Sequence, residues 1–430
     1  MPFTAPEFLA AFFQELGARG IQAVIIHGFE EMPARWESDV DFVVPKSALP
    51  LLAGIQRSIA EAHGWLLVDV IEANLDARYA VLSEQGNPAC CIQLDACADF
   101  VEQQHRLVSV RKLLAGIEQR NGLPTAAPAA EAVYLTAKAL MKKGALTSRT
   151  TRLEHLQQSD PVGVECAFED VVGTTSRPLA GWLVEDAGGQ RELAERLHRR
   201  KRFGLCDWLR EGWRAVRRIA RPSGLHLSFF GPDGVGKSTL LTSLAPMLAP
   251  VFRRVVYFHS RPRVFDNAGG SPNTAPHGQP PRGRFVCVLK LFFYFFDHWL
   301  GYFLKVLPAK IRAEVVIFDR GFEDVLVDPA RYRLYGVSRL ARCLAALLPM
   351  PDLTFALEAP PEVIHQRKAE LPRAEIARQQ TVLRALAERR PRWRVVSADQ
   401  PPEPLTRAVA AEIFRFLAAR CARRHPTSIR

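Results

Sequence analysis

Residues 225–241 read LHLSFFGPDGVGKSTLL, and the order of residue types in this stretch decides how the surrounding chain folds. Leu225 to Phe230 form an apolar run of strand length. Gly231 to Gly236 form a glycine-rich turn, and Lys237, Ser238 and Thr239 open an amphipathic helix. Strand, turn and helix with the spacing GxxxxGKS is the arrangement of a phosphate-cradling P-loop. Gly231, Gly234 and Gly236 allow backbone turns closed to other residues, so that successive N–H groups converge on one anion. The following helix points its positive end at the same place. A triphosphate is therefore the expected ligand, held by Gly231, Asp233, Gly234, Val235, Gly236, Lys237, Ser238 and Thr239. Lys237 reaches its β and γ phosphates, and the Ser238 hydroxyl meets the Mg2+ that bridges them.

Working outward, RRVVYFH predicts a second strand, and EVVIFDR a third with Asp319 and Arg320 at its carboxyl end. Open α/β sheets place ligands at that end of their strands. A carboxylate there suits a magnesium-bound water, and the adjacent guanidinium suits an acceptor phosphate. PDLTFALEAPPEVIHQRKAEL predicts a further strand leading into a helix with Arg367 and Lys368. Arg373 and Arg378 follow, then a WRVVSAD strand and an amphipathic C-terminal helix. Between the second and third strands lies a long Pro, Gly and Asn-rich loop, in which Arg261, Arg263, Arg282 and Arg284 are candidates to order around an anionic substrate.

This order resembles thymidylate kinases: GPDGVGKST with an acidic residue inside the loop, FDR after a buried strand, PDLTFALEAPPE, and an arginine-rich segment beyond it. The resemblance implies an α/β, P-loop parallel-sheet, nucleoside-monophosphate-kinase-like domain over residues 223–420. It implies ATP and Mg2+ as cofactors, with Lys237 and Ser238 on MgATP and Asp319 supporting the metal. Arg320 would bind the acceptor, and Asp233 would lie near an acceptor sugar hydroxyl. Arg367, Arg373 and Arg378 would close over the transferring charge. The chain departs from these kinases in having SRP and the proline-rich loop where they have an REPGG-like segment. Arg331 and Arg333, after Asp319-Arg320, point to a larger or more negatively charged acceptor.

Residues 1–120 carry a different signal. IQAVIIHG reads as a buried strand ending at Gly28, and ESDVDFVV alternates so that Asp39 and Asp41 share one face. Two carboxylates so placed suit a divalent cation, and Asp95 in CCIQLDA supplies a third. The glycine, DxD and later-aspartate spacing resembles the DNA polymerase beta-like nucleotidyltransferases. That implies an α+β domain with Asp39, Asp41 and Asp95 as metal ligands and Gly28 in a phosphate-facing turn. Phe29 stands where those proteins usually have serine.

Residues 121–222 read as a helical subdomain and basic linker. A helix runs through Glu131 to Lys143 and carries Lys138 and Lys142, which are expected to be surface lysines. Arg191 to Arg221 holds eleven Lys or Arg against four acids, a large share of the net charge of +12. Its last part, CDWLREGWRAVRRIARPSG, is an amphipathic basic helix, expected to pack on one side as a linker. The eight cysteines show no CxxC pair and no zinc spacing, as expected of reduced thiols in a cytoplasmic protein without a signal peptide. Val286 to Leu307 is apolar but broken by Lys290, Asp297, His298 and Lys305, which predicts a buried helix rather than a membrane span.

The sequence therefore points to a phosphotransferase acting between a nucleoside triphosphate and a small-molecule acceptor. That acceptor is a nucleotide or a phosphorylated glycan precursor, by resemblance to proteins of bacterial surface-polysaccharide gene clusters. Nucleotidyl transfer by the first domain and a nucleotide-dependent regulatory role for the P-loop half are the competing readings. A homodimer and peripheral membrane contact are the further partner expectations, and nucleic acid ranks last.

Overall fold

The computed structural model describes residues 3–36, 38–102, 104–143, 146, 149–173, 177–183, 191–195, 197, 203–265 and 283–426. The chain forms two compact units, one of Met1–Val216 with Phe414–Arg430, the other of Arg217–Ile413.

In the first unit the strands are β1 (Val24–Ile25), β2 (Val40–Val43), β3 (Trp65–Asn74), β4 (Ala77–Glu84), β5 (Asn87–Cys97), β6 (Phe100–Glu102), β7 (His105–Val108), β8 (Ile117–Arg120) and β9 (Leu123–Ala126). Seven of them form one mixed sheet in the order β3-β4-β5-β2-β1-β9-β8. β3, β4 and β5 form an antiparallel meander, whereas β2 and β5 run parallel with Asp41 opposite Asp95. The two-residue period of these strands builds two cores. Ile25, Val40, Phe42, Val44, Leu94 and Ala96 pack under the helices Ala5–Ala18 and Leu49–Ala62. Val24, Ile26 and Val43 face the other way, against Pro128–Lys143, Thr150–Ser159 and Pro161–Val172. The odd-numbered side of β2, which carries Asp41, thus looks at the helix Pro128–Lys143. The first core is also closed by Cys421, fully buried near the chain's end, and Arg420 pairs with the buried Asp69 at 3.1 Å.

The second unit is a five-stranded parallel sheet of β10 (Leu225–Phe230), β11 (Val255–His259), β12 (Val315–Asp319), β13 (Leu353–Glu358) and β14 (Trp393–Ser397), in the order β11-β12-β10-β13-β14. β10 and β13 are buried on both faces, as a parallel sheet covered by helices requires. Phe229 stacks on Phe355 and Phe230 on Trp393, each pair with ring centroids 5.1 Å apart. The chain leaves β10 toward one edge and later crosses to the other. The direction of winding therefore changes between β10 and β12, and a crevice opens beyond their carboxyl ends. The P-loop follows β10, and Asp319 ends β12.

Two helices differ from their sequence expectations. The stretch Arg284–Ile311 is not a buried helix, since only 28% of its most apolar window is buried. Cys287, Leu291 and Phe295 pack against Phe322, Val325 and Ala341, while Phe285, Leu289, Phe296 and Phe303 are exposed. Among the described residues it is one helix long and apolar enough to cross a membrane. The helix Leu205–Ala220 does pack on one side, but with its polar face. It has no buried residue, and its apolar residues face solvent.

Candidate functional site

The loop after β10 gains its shape from three positive φ angles, 156° at Gly231, 87° at Gly234 and 107° at Gly236. Gly234 also has no room for a side chain, because a Cβ there would lie 2.8 Å from Cβ of Lys368. Gly236 caps the helix Lys237–Leu248, whose first turn presents free N–H groups to the crevice. A cavity of about 950 Å³ opens there, lined by the whole Asp233–Leu240 run together with His259, Asp319, Arg320, Arg331, Arg367 and Lys368.

Lys237 is 6% exposed and folds back on its own loop, donating to the carbonyls of Gly231 at 2.7 Å and Pro232 at 3.0 Å. Burial, reinforced by the neighbouring Arg320, pushes its pKa down to about 8. Asp233 is gripped by both Arg320 and Arg331. Burial alone would raise the Asp233 carboxyl, but Arg320, Arg331 and Lys237 outweigh it and hold it below its ordinary value.

Arg320 is only 2% exposed and adopts a φ of 74°, unusual for a residue with a side chain. It is fixed by Asp233 and by Asp324 at 3.2 Å, and Asp324 in turn accepts from the Tyr332 hydroxyl at 2.9 Å. Arg320 is thus a buried organiser of the acidic groups, and Arg331, less buried, presents the more accessible guanidinium.

Asp319 faces the loop from β12. Its Oδ2 meets Nδ1 of His259 at 3.3 Å, and its buried Oδ1 has no hydrogen-bond partner. Burial would raise its carboxyl, yet His259, Lys237 and Arg320 together keep it low. An orphaned carboxylate oxygen in the same cavity wall as the Ser238 hydroxyl is a hard-oxygen donor set, and it fits a magnesium ion.

A segment of the chain is similar to thymidylate kinase. It is 31% identical over 147 residues to the thymidylate kinases of three Xanthomonas campestris pv. campestris strains, including B100 and 8004, covering 33% of this chain. The chain spans 58% of the length of these curated relatives. The crystal structure of thymidylate kinase from Ehrlichia chaffeensis aligns with 44% of this chain and 98% of its own, at 18% identity and a TM-score of 0.31. No family model matches the chain.

Beside this thymidylate kinase-like motif order, the expected lid arginines separate. Arg367 lines the cavity and donates to the Ala398 carbonyl at 3.3 Å. Arg373 and Arg378 are not among the lining residues; Arg378 is held by Glu375 at 2.7 Å and donates to the Val327 carbonyl at 2.8 Å. In the proline-rich loop, Arg261 and the backbone of Arg263 are tied to the fully buried Asp297. Arg282 lies outside the described residues.

Sequence reasoning passed over His259 and Asp324, and named Lys368 beside Arg367 without giving it a role. His259 was open to discovery, because it ends a strand that neighbours Asp319 in register. Asp324 carries no local signal, since its partners come from loops whose approach only the fold determines.

In the first unit, carboxylate oxygens of Asp39, Asp41 and Asp95 lie within 4.8 Å of one another. Asp41 is already surrounded by donors. Its Oδ2 meets Nζ of Lys138 at 3.0 Å and Nε2 of His27 at 2.7 Å, and its Oδ1 accepts from the Tyr134 hydroxyl at 3.1 Å. Burial would raise the Asp41 carboxyl, and these neighbours overcome it, holding it well below its usual range. Lys138 is therefore not a surface lysine, because the odd-numbered face of β2 is turned to its helix; the side chain of Lys142 lies outside the described residues. A cavity of about 390 Å³ beside the trio is lined by His27, Gly28, Ser38 and Asp39. Phe29 is buried under Arg120 and Arg152, at 5.1 and 5.7 Å from its ring centre, and offers no hydroxyl to that cavity.

Proposed function

We propose that the chain is an ATP-dependent phosphotransferase of thymidylate kinase-like type, which moves the γ-phosphoryl of MgATP to a nucleotide or a phosphorylated glycan precursor. The observation that carries this reading is the convergence of Lys237, Ser238, Asp319, Arg320, Arg331 and Arg367 on one cavity. The loop N–H groups and Lys237 bind the triphosphate, with Lys237 exchanging the carbonyls of Gly231 and Pro232 for phosphate oxygens. Magnesium held by Ser238 and Asp319 would neutralise charge on the β and γ phosphates. Arg331 meets the acceptor phosphate, while Arg320 fixes Asp233 beside it. An acceptor oxygen bonds to the γ phosphorus as its bond to the bridging oxygen breaks, and ADP leaves. Such chemistry requires positioning and charge neutralisation rather than a covalent intermediate.

The test is γ-labelled ATP offered with a panel of nucleoside monophosphates and sugar phosphates. Transfer of label to one acceptor class is expected, and Lys237→Ala should abolish it. Undiminished transfer by that variant overturns the reading.

A second reading, nucleotidyl transfer by the first unit, is favoured by the convergence of Asp39, Asp41 and Asp95 beside the smaller cavity. It requires Lys138 to release Asp41 when a divalent cation binds. Labelled triphosphates and Mg2+ would then give pyrophosphate that disappears in Asp39→Asn and Asp41→Asn; pyrophosphate release at the wild-type rate in both variants excludes it.

A further inference from the structure

The helix Leu205–Ala220 is mounted inside out. Asp207 accepts from Arg106 at 2.7 Å, Arg210 reaches Asp76 at 3.2 Å, and Arg214 donates to the Glu72 carbonyl at 2.9 Å while pairing with Glu211. Its charged face is thus the one bound to the first unit. On the opposite face Leu205, Trp208, Leu209, Trp213 and Val216 recur at three- and four-residue spacing. They are exposed by 77%, 49%, 67%, 64% and 54%. An amphipathic helix on a globular protein normally turns such a stripe to the core.

We propose that this stripe docks on an anionic lipid bilayer, with the helix lying in the plane of the interface. Charge complementarity selects this occupant. Arg210 borders the stripe along one edge; one of its nitrogens reaches Asp76, but its side chain stays 52% exposed, and this exposed part of the guanidinium meets headgroup phosphates as the stripe enters the acyl boundary. Trp208 and Trp213 suit the headgroup level, each having an apolar ring and one N–H donor.

The helix's own acids do not oppose this contact, since Asp207 and Glu211 are turned to Arg106 and Arg214. For the same reason a second copy docked through this same helix would offer Arg210 only Asp207 and Glu211, both already paired. Nucleic acid would seek the arginine face, most of which is bound to the protein, and finds little in leucine and valine.

The test is flotation of the full chain with vesicles of phosphatidylcholine, or of phosphatidylcholine and phosphatidylglycerol in equal parts. The expected result is binding to the anionic vesicles alone, weakened by salt. In Trp208→Ser/Trp213→Ser, binding should fall about tenfold or more as two interfacial anchors are lost. The thermal unfolding of this variant should match the wild type, because both side chains are exposed.

No flotation with anionic vesicles overturns the proposal, as does equal flotation of the variant. Loss of binding in Phe285→Ser/Leu289→Ser, with Trp208→Ser/Trp213→Ser unaffected, also overturns it by moving the contact to another helix. A dimer dissociated by Trp208→Ser/Trp213→Ser, or a salt-sensitive nucleic-acid complex lost in that variant, without flotation of the wild type, assigns the stripe to those partners instead.

Discussion

Lys237 lies buried in its own loop with its pKa pushed down to about 8, so it titrates well below an ordinary lysine. A bound triphosphate favours the charged ammonium and raises that pKa, which couples nucleotide binding to proton uptake above pH 8. The Kd for ATP is therefore expected to be flat below about pH 7.5 and to rise toward tenfold per pH unit above 8. Titration calorimetry in buffers of different ionisation enthalpy checks this, and a pH-independent Kd from 7 to 10 would contradict it. The folding contribution has a definite sign. A lysine whose folded pKa is depressed destabilises the protein fully below about pH 8, and the penalty is relieved as pH rises toward the unfolded value.

Arg320 makes a second residue-scale prediction. Asp324 is 1% exposed and depends on Arg320 and Tyr332. Arg320→Ala should cost about 3–5 kcal/mol in urea unfolding, because it leaves a buried carboxylate without its cation. The sequence made the pairing of FDR with the P-loop legible. It did not show that Arg320 would be buried and engaged, since that depends on loops more than eighty residues apart meeting at Asp233.

At the scale of elements, the alternation of strand and helix after Leu225 was readable because each strand is a short apolar run bounded by turn residues. The DxD strand was equally readable, and its neighbour Asp95 lies in the parallel strand that the apolar pattern indicated. Composition failed at Arg284–Ile311, where aromatic residues lie all round and periodicity does not say which face is covered. Gly301 shows what holds that helix in place, since a Cβ there would collide with the ring of Pro262. Gly301→Ala is expected to destabilise the protein by about 1–3 kcal/mol through forced displacement of the Pro262 segment. A thermal shift no different from wild type would show that the segment yields freely.

On the scale of the whole molecule, the least legible feature was the return of the last residues to the first unit. Arg420 and Cys421 lie some 350 residues from Asp69 and belong to a helix that reads as the end of the kinase-like half. A chain ending at residue 413 should lose the Asp69 partner and part of a core. Amide exchange in β3, β4 and β5 is expected to accelerate by about a hundredfold or more, while β10 and β13 change far less. Uniform protection in the shortened chain would refute this.

Lys138 gives the first unit a counter-ion that cannot diffuse away. Whatever chemistry Asp39 and Asp95 support in this acidic centre, Asp41 has its charge partner without a dissolved cation. Exhaustive chelation should accordingly leave the unfolding of this unit unchanged. With Lys138→Met the same centre should become dependent on the ionic medium, gaining stability with each increment of added Mg2+.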